Sequence, residues 1–289
     1  MKYTITKGGI SAVCDTHGAE LISLKKNGKE YIWQGDPTYW KGQNPILFPV
    51  LCTLKDNRVS IRGKEYEIQK HGFARNSEFL PVELGDDFVS YRLSDSEQTR
   101  KIYPFSFDFT VTHRVTDNGS ITEFKVLNKS DEEMYFHIGG HTGINLPVEE
   151  FSSHRIVFEQ TERATNYKAP TGALITNPEG STDVLYESDF INLDYSMFAN
   201  DAIMLTGLKS KVIKLVDENG KGVAMNIDGF KALGIWTPSK IDSPFICLEP
   251  WNGLPAFVNE SGRFEDKPFA IHLEPHKEYF VSFSLDIID

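Results

Sequence analysis

Three short segments of this 289-residue chain gather turn residues and ionisable side chains, and each could bind or react. They are 69–76 (Gln-Lys-His-Gly-Phe-Ala-Arg-Asn), 137–147 (His-Ile-Gly-Gly-His-Thr-Gly-Ile-Asn-Leu-Pro) and 246–253 (Ile-Cys-Leu-Glu-Pro-Trp-Asn-Gly). In the second, Gly139 and Gly140 precede His141 and Gly143 follows it, so the backbone can bend sharply or approach a ligand closely. That places His141 at a strand end or a bulge. A core histidine bonded to a carbonyl fits the same pattern. Glu249 closes the apolar run Phe245–Leu248, and Pro250 holds it extended. Beside Trp251, a carboxylate there is costly unless it is paired or used.

Arg75 follows His71 by four residues. Its planar fork suits a carboxylate, a pair of sugar hydroxyls or a phosphate, or simply an internal ion pair. His137 and His141 form His-x3-His, but on a strand they stand roughly 13 Å apart. They could share an ion only if Gly139 and Gly140 folded the chain back; no third ligand is near and no zinc motif matches, so no metal is assigned. Trp33, Trp40, Trp236 and Trp251 read as core, although aromatics beside polar groups also suit the apolar face of a sugar ring.

Strands must position these groups. Phe105, Phe107, Phe109 and Val111 alternate with polar residues, as do Tyr279, Val281, Phe283, Leu285 and Ile287 near the C-terminus and Val223, Met225 and Ile227. Asn27-Gly28, Asn118-Gly119 and Asn219-Gly220 supply tight hairpin turns through positive φ. Helical periodicity is scarce: only residues 195–205 could hold one short turn before a strand. With no fixed-period repeat and no linker, 1–289 reads as a single-domain, all-β antiparallel sandwich.

The charge balance narrows the partners. Thirty Lys+Arg against 41 Asp+Glu give a net charge of −11, with no basic cluster, which excludes nucleic acid and an acidic membrane surface as partners. The N-terminus lacks the apolar core of a signal peptide. The longest apolar run, Ile46–Leu51, contains Pro49 and falls far short of the roughly 20 residues of a membrane helix. Cys14, Cys52 and Cys247 are odd in number and scattered, which suits a reducing compartment, so a cytoplasmic location is expected.

The three segments, in this order, resemble the aldose 1-epimerase (galactose mutarotase-like) family, and within it the LacX-type branch. The residues that carry the resemblance are His71-Gly-Phe-Ala-Arg75, Gly139-Gly-His141-Thr-Gly-Ile-Asn145 and Leu248-Glu249-Pro250-Trp251. Ala19-Glu-Leu21, Pro45–Pro49, Phe198–Ala202 and Gly234-Ile-Trp236 extend it over nearly the whole chain. The resemblance implies a β-supersandwich and a cofactor-free interconversion of the α and β anomers of a free hexose. By it, Glu249 is the general base at the anomeric hydroxyl and His141 the general acid at the ring oxygen. His71 is a second active-site histidine, and Asp201, with Asp194 as competitor, binds ring hydroxyls. Arg75, Lys41 and Trp251 complete the sugar-binding set. Ring opening needs one proton removed and one added, so a charged pair, His141 protonated and Glu249 ionised on opposite sides of the ring, is expected.

Several positions depart from the family pattern. Residues 41–44 read Lys-Gly-Gln-Asn where an arginine is usual, Lys41 standing in as a point charge. Thr142 and Gly143 replace a proline and a small residue, Ile144 replaces an aromatic, and Cys52 replaces a frequent glycine. The rival readings are a hexose-6-phosphate mutarotase, favoured by a basic pocket of Arg75 plus Lys41, and a non-catalytic carbohydrate-binding or sensing protein. A glycosidase using Asp201 and Glu249 as paired carboxylates ranks last. The partner in every case is a small sugar, and the sequence does not separate monomer from homodimer.

Overall fold

The computed structural model describes residues 1–170 and 173–289. Every pairing between its strands is antiparallel. A large sheet runs in the order Tyr186–Asn192, Arg155–Arg163, Val212–Val216, Gly222–Asn226, Glu278–Ile288, Gly119–Asn128, Phe107–Val115, Phe88–Ser94, Leu80–Leu84. A second sheet runs Thr165–Tyr167, Ile203–Thr206, Ala232–Trp236, Phe245–Asn252, Ile138–Gly140, Ile46–Leu47, with Thr142–Asn145 also paired to Phe245–Asn252.

The alternating runs become the strands that line the space between the sheets. Phe107, Phe109 and Val111 are buried and their polar neighbours half-buried, and Val281, Phe283, Leu285 and Ile287 behave the same way. Phe48 enters this core from the second sheet's side and packs its ring against Phe109 at 4.7 Å and Phe107 at 5.4 Å. Phe283 of the large sheet packs its ring directly on the backbone of Gly140, where an added Cβ would lie 2.8 Å from the ring, so only glycine admits this contact.

Two of the expected hairpins form as read. Asn27 (φ 50°) and Gly28 (φ 87°) turn the chain between Lys26 and Lys29, and Gly220 (φ 78°) does so after Val216. At Asn118-Gly119 the turn is present but is not made by positive φ. The Thr116 hydroxyl accepts from both backbone N–H groups instead, at 3.2 and 3.0 Å. The short helical turn is found at Tyr195–Phe198, ahead of the strand Ile203–Thr206. Among the described residues an α-helix went unread, Glu97–Ile102, which starts on a capping box between Ser96 and Thr99.

His113 shows how the core treats an imidazole. It is buried, with Nε2 2.7 Å from the Ala19 carbonyl and Nδ1 3.0 Å from the Thr122 hydroxyl, and burial pushes its pKa from 6.5 down to about 4. The unfolded chain therefore takes up a proton between those values that the folded chain refuses. Stability is complete above the unfolded value and drains as pH falls toward the folded one. Urea titrations between about pH 7.5 and about pH 4.5 are expected to show His113 contributing about 2–3 kcal/mol to the acid loss. His113→Gln keeps a donor but removes the titration, so it flattens that slope; an unchanged slope would refute the assignment.

Candidate active site

The site is built on the central strand Phe245–Asn252. Its neighbour breaks into two pieces: Ile138 and Gly139 pair with Asn252 and Trp251, and Thr142–Asn145 pair with Leu248–Phe245. The register is the same on both sides of the break, so His141 stands directly across from Glu249. The gap falls at Pro250, which has no N–H to donate to the ladder. The result is an imidazole Nε2 3.3 Å from the Glu249 carboxylate Oε2, with the residues 8% and 2% exposed. Glu249 Oε2 and His141 Nδ1 are buried and have no hydrogen-bond partner within the protein.

His71 comes from the first segment, whose shape is set by close backbone approach. Gly72 sits at φ 74°, and a Cβ there would fall 2.1 Å from the Phe48 carbonyl, which accepts from the N–H groups of Phe73 and Ala74. His71 (φ 67°) and Cys52 (φ 48°) clasp each other. The His71 N–H donates to the Cys52 carbonyl at 3.0 Å, and the Cys52 N–H donates to His71 Nδ1 at 3.1 Å. The left-handed conformation explains why glycine is common at position 52 and shows that cysteine is accommodated. Because Nδ1 accepts, the ring proton must sit on Nε2.

These groups line one cleft of about 360 Å³, within the usual range for small-molecule sites. Its wall holds His71, Arg75, His141, Glu249, Asp201 and Trp251, six of the residues singled out from sequence. Asp201 is preferred over Asp194 by position. Asp194 is exposed and spends its carboxylate on the Ser196 N–H as a helix cap, whereas Asp201 lies close enough to raise the pKa of Glu249. Lys41 is the residue the fold leaves out. It is exposed and off the lining, because the Glu20 carboxylate pins the following N–H groups of Gln43 and Asn44 at 3.2 and 2.5 Å. Lys70 lines the cleft instead, from the exposed mouth beside His71. Sequence reasoning quoted Lys70 without giving it a role.

Two tryptophans read as core are also walls of the cleft. The Trp40 ring stacks on His141 at 4.9 Å and Trp236 meets it edge-on at 5.6 Å. The stretches that depart from the family pattern touch each other. The Thr142 hydroxyl donates to Asn44 Oδ1 at 2.8 Å, and the Gly143 N–H donates to the Gln43 carbonyl at 2.8 Å. His137, the other member of His-x3-His, is not on the cleft wall; it is buried against Phe264, at 5.5 Å between rings.

The expected charged pair is reversed by burial. Desolvation pushes His141 down to about 3, assisted by the positive charges of Arg75 and Lys70. It also pushes Glu249 well above the usual carboxylate range, with Asp201 adding to the effect and Lys70 and Arg75 opposing it. Burial therefore favours the neutral form of both groups. The two groups also lie side by side rather than across a ring.

A family profile described as aldose 1-epimerase matches residues 1–286. The chain belongs to the aldose 1-epimerase family. It is 32% identical to the plasmid and chromosomal LacX proteins of Lactococcus lactis subsp. lactis over 285 residues, covering 95% of each chain. Its fold is similar to that of a galactose mutarotase related enzyme from Lactobacillus acidophilus, with 31% identity, a TM-score of 0.92 and coverage of 100% of this chain and 98% of that one. A galactose mutarotase-like protein from Lactobacillus casei ATCC 334 gives 25% identity, a TM-score of 0.90 and coverage of 99% and 100%. The aldose 1-epimerase family acts on small sugars, which agrees with a cleft walled by aromatic rings and hydrogen-bonding side chains. No helix among the described residues is long and apolar enough to cross a membrane.

In this member of the aldose 1-epimerase family, burial holds the His71 pKa well below 6.5, and the positive charges of Lys70 and Arg75 add to the effect. Long-range proton–nitrogen NMR spectra from about pH 8 to about pH 5.5 are expected to show His71 unprotonated throughout as the Nε2–H tautomer. A shift to the Nδ1–H form or to the imidazolium in that range would mean that the Cys52 N–H does not hold the ring.

Proposed function

We propose that the protein interconverts the α and β anomers of a free hexose, with Glu249 and His141 as a proton-exchanging pair. The observation that carries this reading is the 3.3 Å contact between His141 Nε2 and Glu249 Oε2 in the cleft wall. The anomeric and ring oxygens are bonded to the same carbon, so an acid and a base that serve both must be neighbours. Glu249 takes the proton of the anomeric hydroxyl while His141 delivers one to the ring oxygen, and the C1–O5 bond breaks to leave the aldehyde. Rotation about C1–C2 presents the other carbonyl face, and closure runs the same transfers in reverse. The pair ends with the single proton it began with, so no cofactor is required.

Burial favours the proton on Glu249, and the sugar supplies the correction. Hydroxyls donating to the carboxylate replace the solvation that burial removed, which favours the ionised form and moves the proton to His141. His71, with Nε2–H free to donate, and Asp201, as an acceptor, orient the ring hydroxyls. Trp40 and Trp236, half-buried on the cleft wall, offer aromatic surface to its apolar face, and Trp251 backs that wall.

The test is anomeric exchange followed by NMR magnetisation transfer on galactose and glucose. Glu249→Gln and His141→Asn are each expected to lower kcat by roughly 10²–10⁴-fold. Exchange no faster than the spontaneous rate in the wild type, with sugar binding retained, would replace this reading with a sensing role.

A second reading, mutarotation of a hexose 6-phosphate, is favoured by Lys70 and Arg75 on the same wall. It predicts that Lys70→Ala lowers kcat/KM for glucose 6-phosphate by about tenfold while leaving free glucose unchanged. Equal effects on the two sugars would remove it.

A further inference from the structure

Beneath the proton-exchanging pair lies a third metal-ligating atom that the proposed reaction does not use. The nitrogen of His141, the sulfur of Cys247 and a carboxylate oxygen of Glu249 all lie within 4.8 Å of one another, and all three residues are buried. Cys247 and Glu249 are two residues apart on the strand Phe245–Asn252 and so share a face. His141 joins them from across the ladder, opposite Glu249.

We propose that His141, Cys247 and Glu249 form a site for one thiophilic divalent cation, such as Zn²⁺, and that the bound ion switches the sugar reaction off. The donor set is one imidazole, one thiolate and one carboxylate. A thiolate favours zinc over the hard ions magnesium and calcium. Three protein ligands leave one tetrahedral position open, and two of the three, His141 and Glu249, line the cleft. One orphaned atom points the same way: Glu249 Oε2 is buried without a hydrogen-bond partner, and it lies 3.3 Å from His141 Nε2. Charge also balances, because a thiolate and a carboxylate together neutralise a dication that would otherwise be expensive to bury. Binding as a thiolate releases the proton of the Cys247 thiol. With lone pairs of both groups committed to the ion, neither can exchange a proton with a sugar. This last consequence rests on the mutarotase reading; the site itself does not.

Cobalt(II) tests the site without reference to activity. Titration of the reduced protein with Co²⁺ is expected to give a thiolate-to-cobalt charge-transfer band that saturates at one equivalent, survives Cys52→Ser and disappears in Cys247→Ser. Competition by Zn²⁺ should remove the band. Circular dichroism melts of Cys247→Ser and Cys247→Ala establish that the variants are folded, and whichever is folded carries the comparison. Absence of a thiolate band in the wild type, or a band that persists without Cys247, would overturn the proposal. In the exchange assay, Zn²⁺ should inhibit the wild type and a chelator restore it. Cys247→Ser should keep its basal rate and need at least about tenfold more Zn²⁺ for half-inhibition. If no exchange occurs but the cobalt band forms as stated, the metal site stands and the mutarotase reading falls.

Discussion

A proline in the middle of a central strand is ordinarily a fault, since it removes a ladder hydrogen bond where both neighbours want one. Here the pairing with Ala232–Trp236 runs through Pro250 without interruption, and only the pairing on the other side opens. The register on that open side does not slip, so the residue facing Glu249 across the gap is fixed as His141. A one-residue slip would turn every side chain of the neighbouring segment to the opposite face. The juxtaposition of imidazole and carboxylate is thus a property of sheet register, held by the flanking rungs rather than by a loop.

The surroundings then set the chemistry of the pair. Glu249 is 2% exposed on a strand whose residues are all buried, so its ionised form lacks water and must find replacements. Lys70 and Arg75 offer positive charge from one side, and Asp201 opposes it. His141 is held between the faces and edges of two tryptophans, which fix its plane while adding no hydrogen bond. His71 approaches from a backbone whose left-handed residues are locked through Phe48 and Cys52. Groups that are costly to bury are concentrated in one wall, and the sheet core behind it, from Gly140 to Phe283, supplies the rigidity that tolerates them.

Much of this was legible before any coordinates. Period-2 runs such as 279–287 reported their strands directly, because burial on one face leaves an alternating trace in the residue types. His71, Arg75, His141 and Glu249 stood out because ionisable groups beside glycine or proline break that alternation. The failures have physical causes too. Lys41 misled because a cation near a motif says nothing about which way its backbone is pinned, and the Glu20 carboxylate that pins it lies more than twenty residues away in sequence. Trp40 and Trp236 are half-buried, packed on Phe245 behind and walling the cleft in front, a position that residue type cannot express. The expected charged pair weighed opposite charges against each other without the desolvation that opposes both. Cys247 was invisible as a partner of His141, since their proximity exists only across paired strands.

The contacts between Asn44 and Thr142 and between Gln43 and Gly143 carry a lesson for altering this cleft. Gln43 and Asn44 in the first stretch, 41–44, supply hydrogen-bond acceptors to Gly143 and Thr142 in the second, 142–144. Transplanting a relative's arginine into the first stretch alone would leave the Thr142 hydroxyl searching for an acceptor a few ångströms from His141. The two stretches are one exchangeable cassette, and recombination between homologues that splits it should be purged even where each half is individually sound.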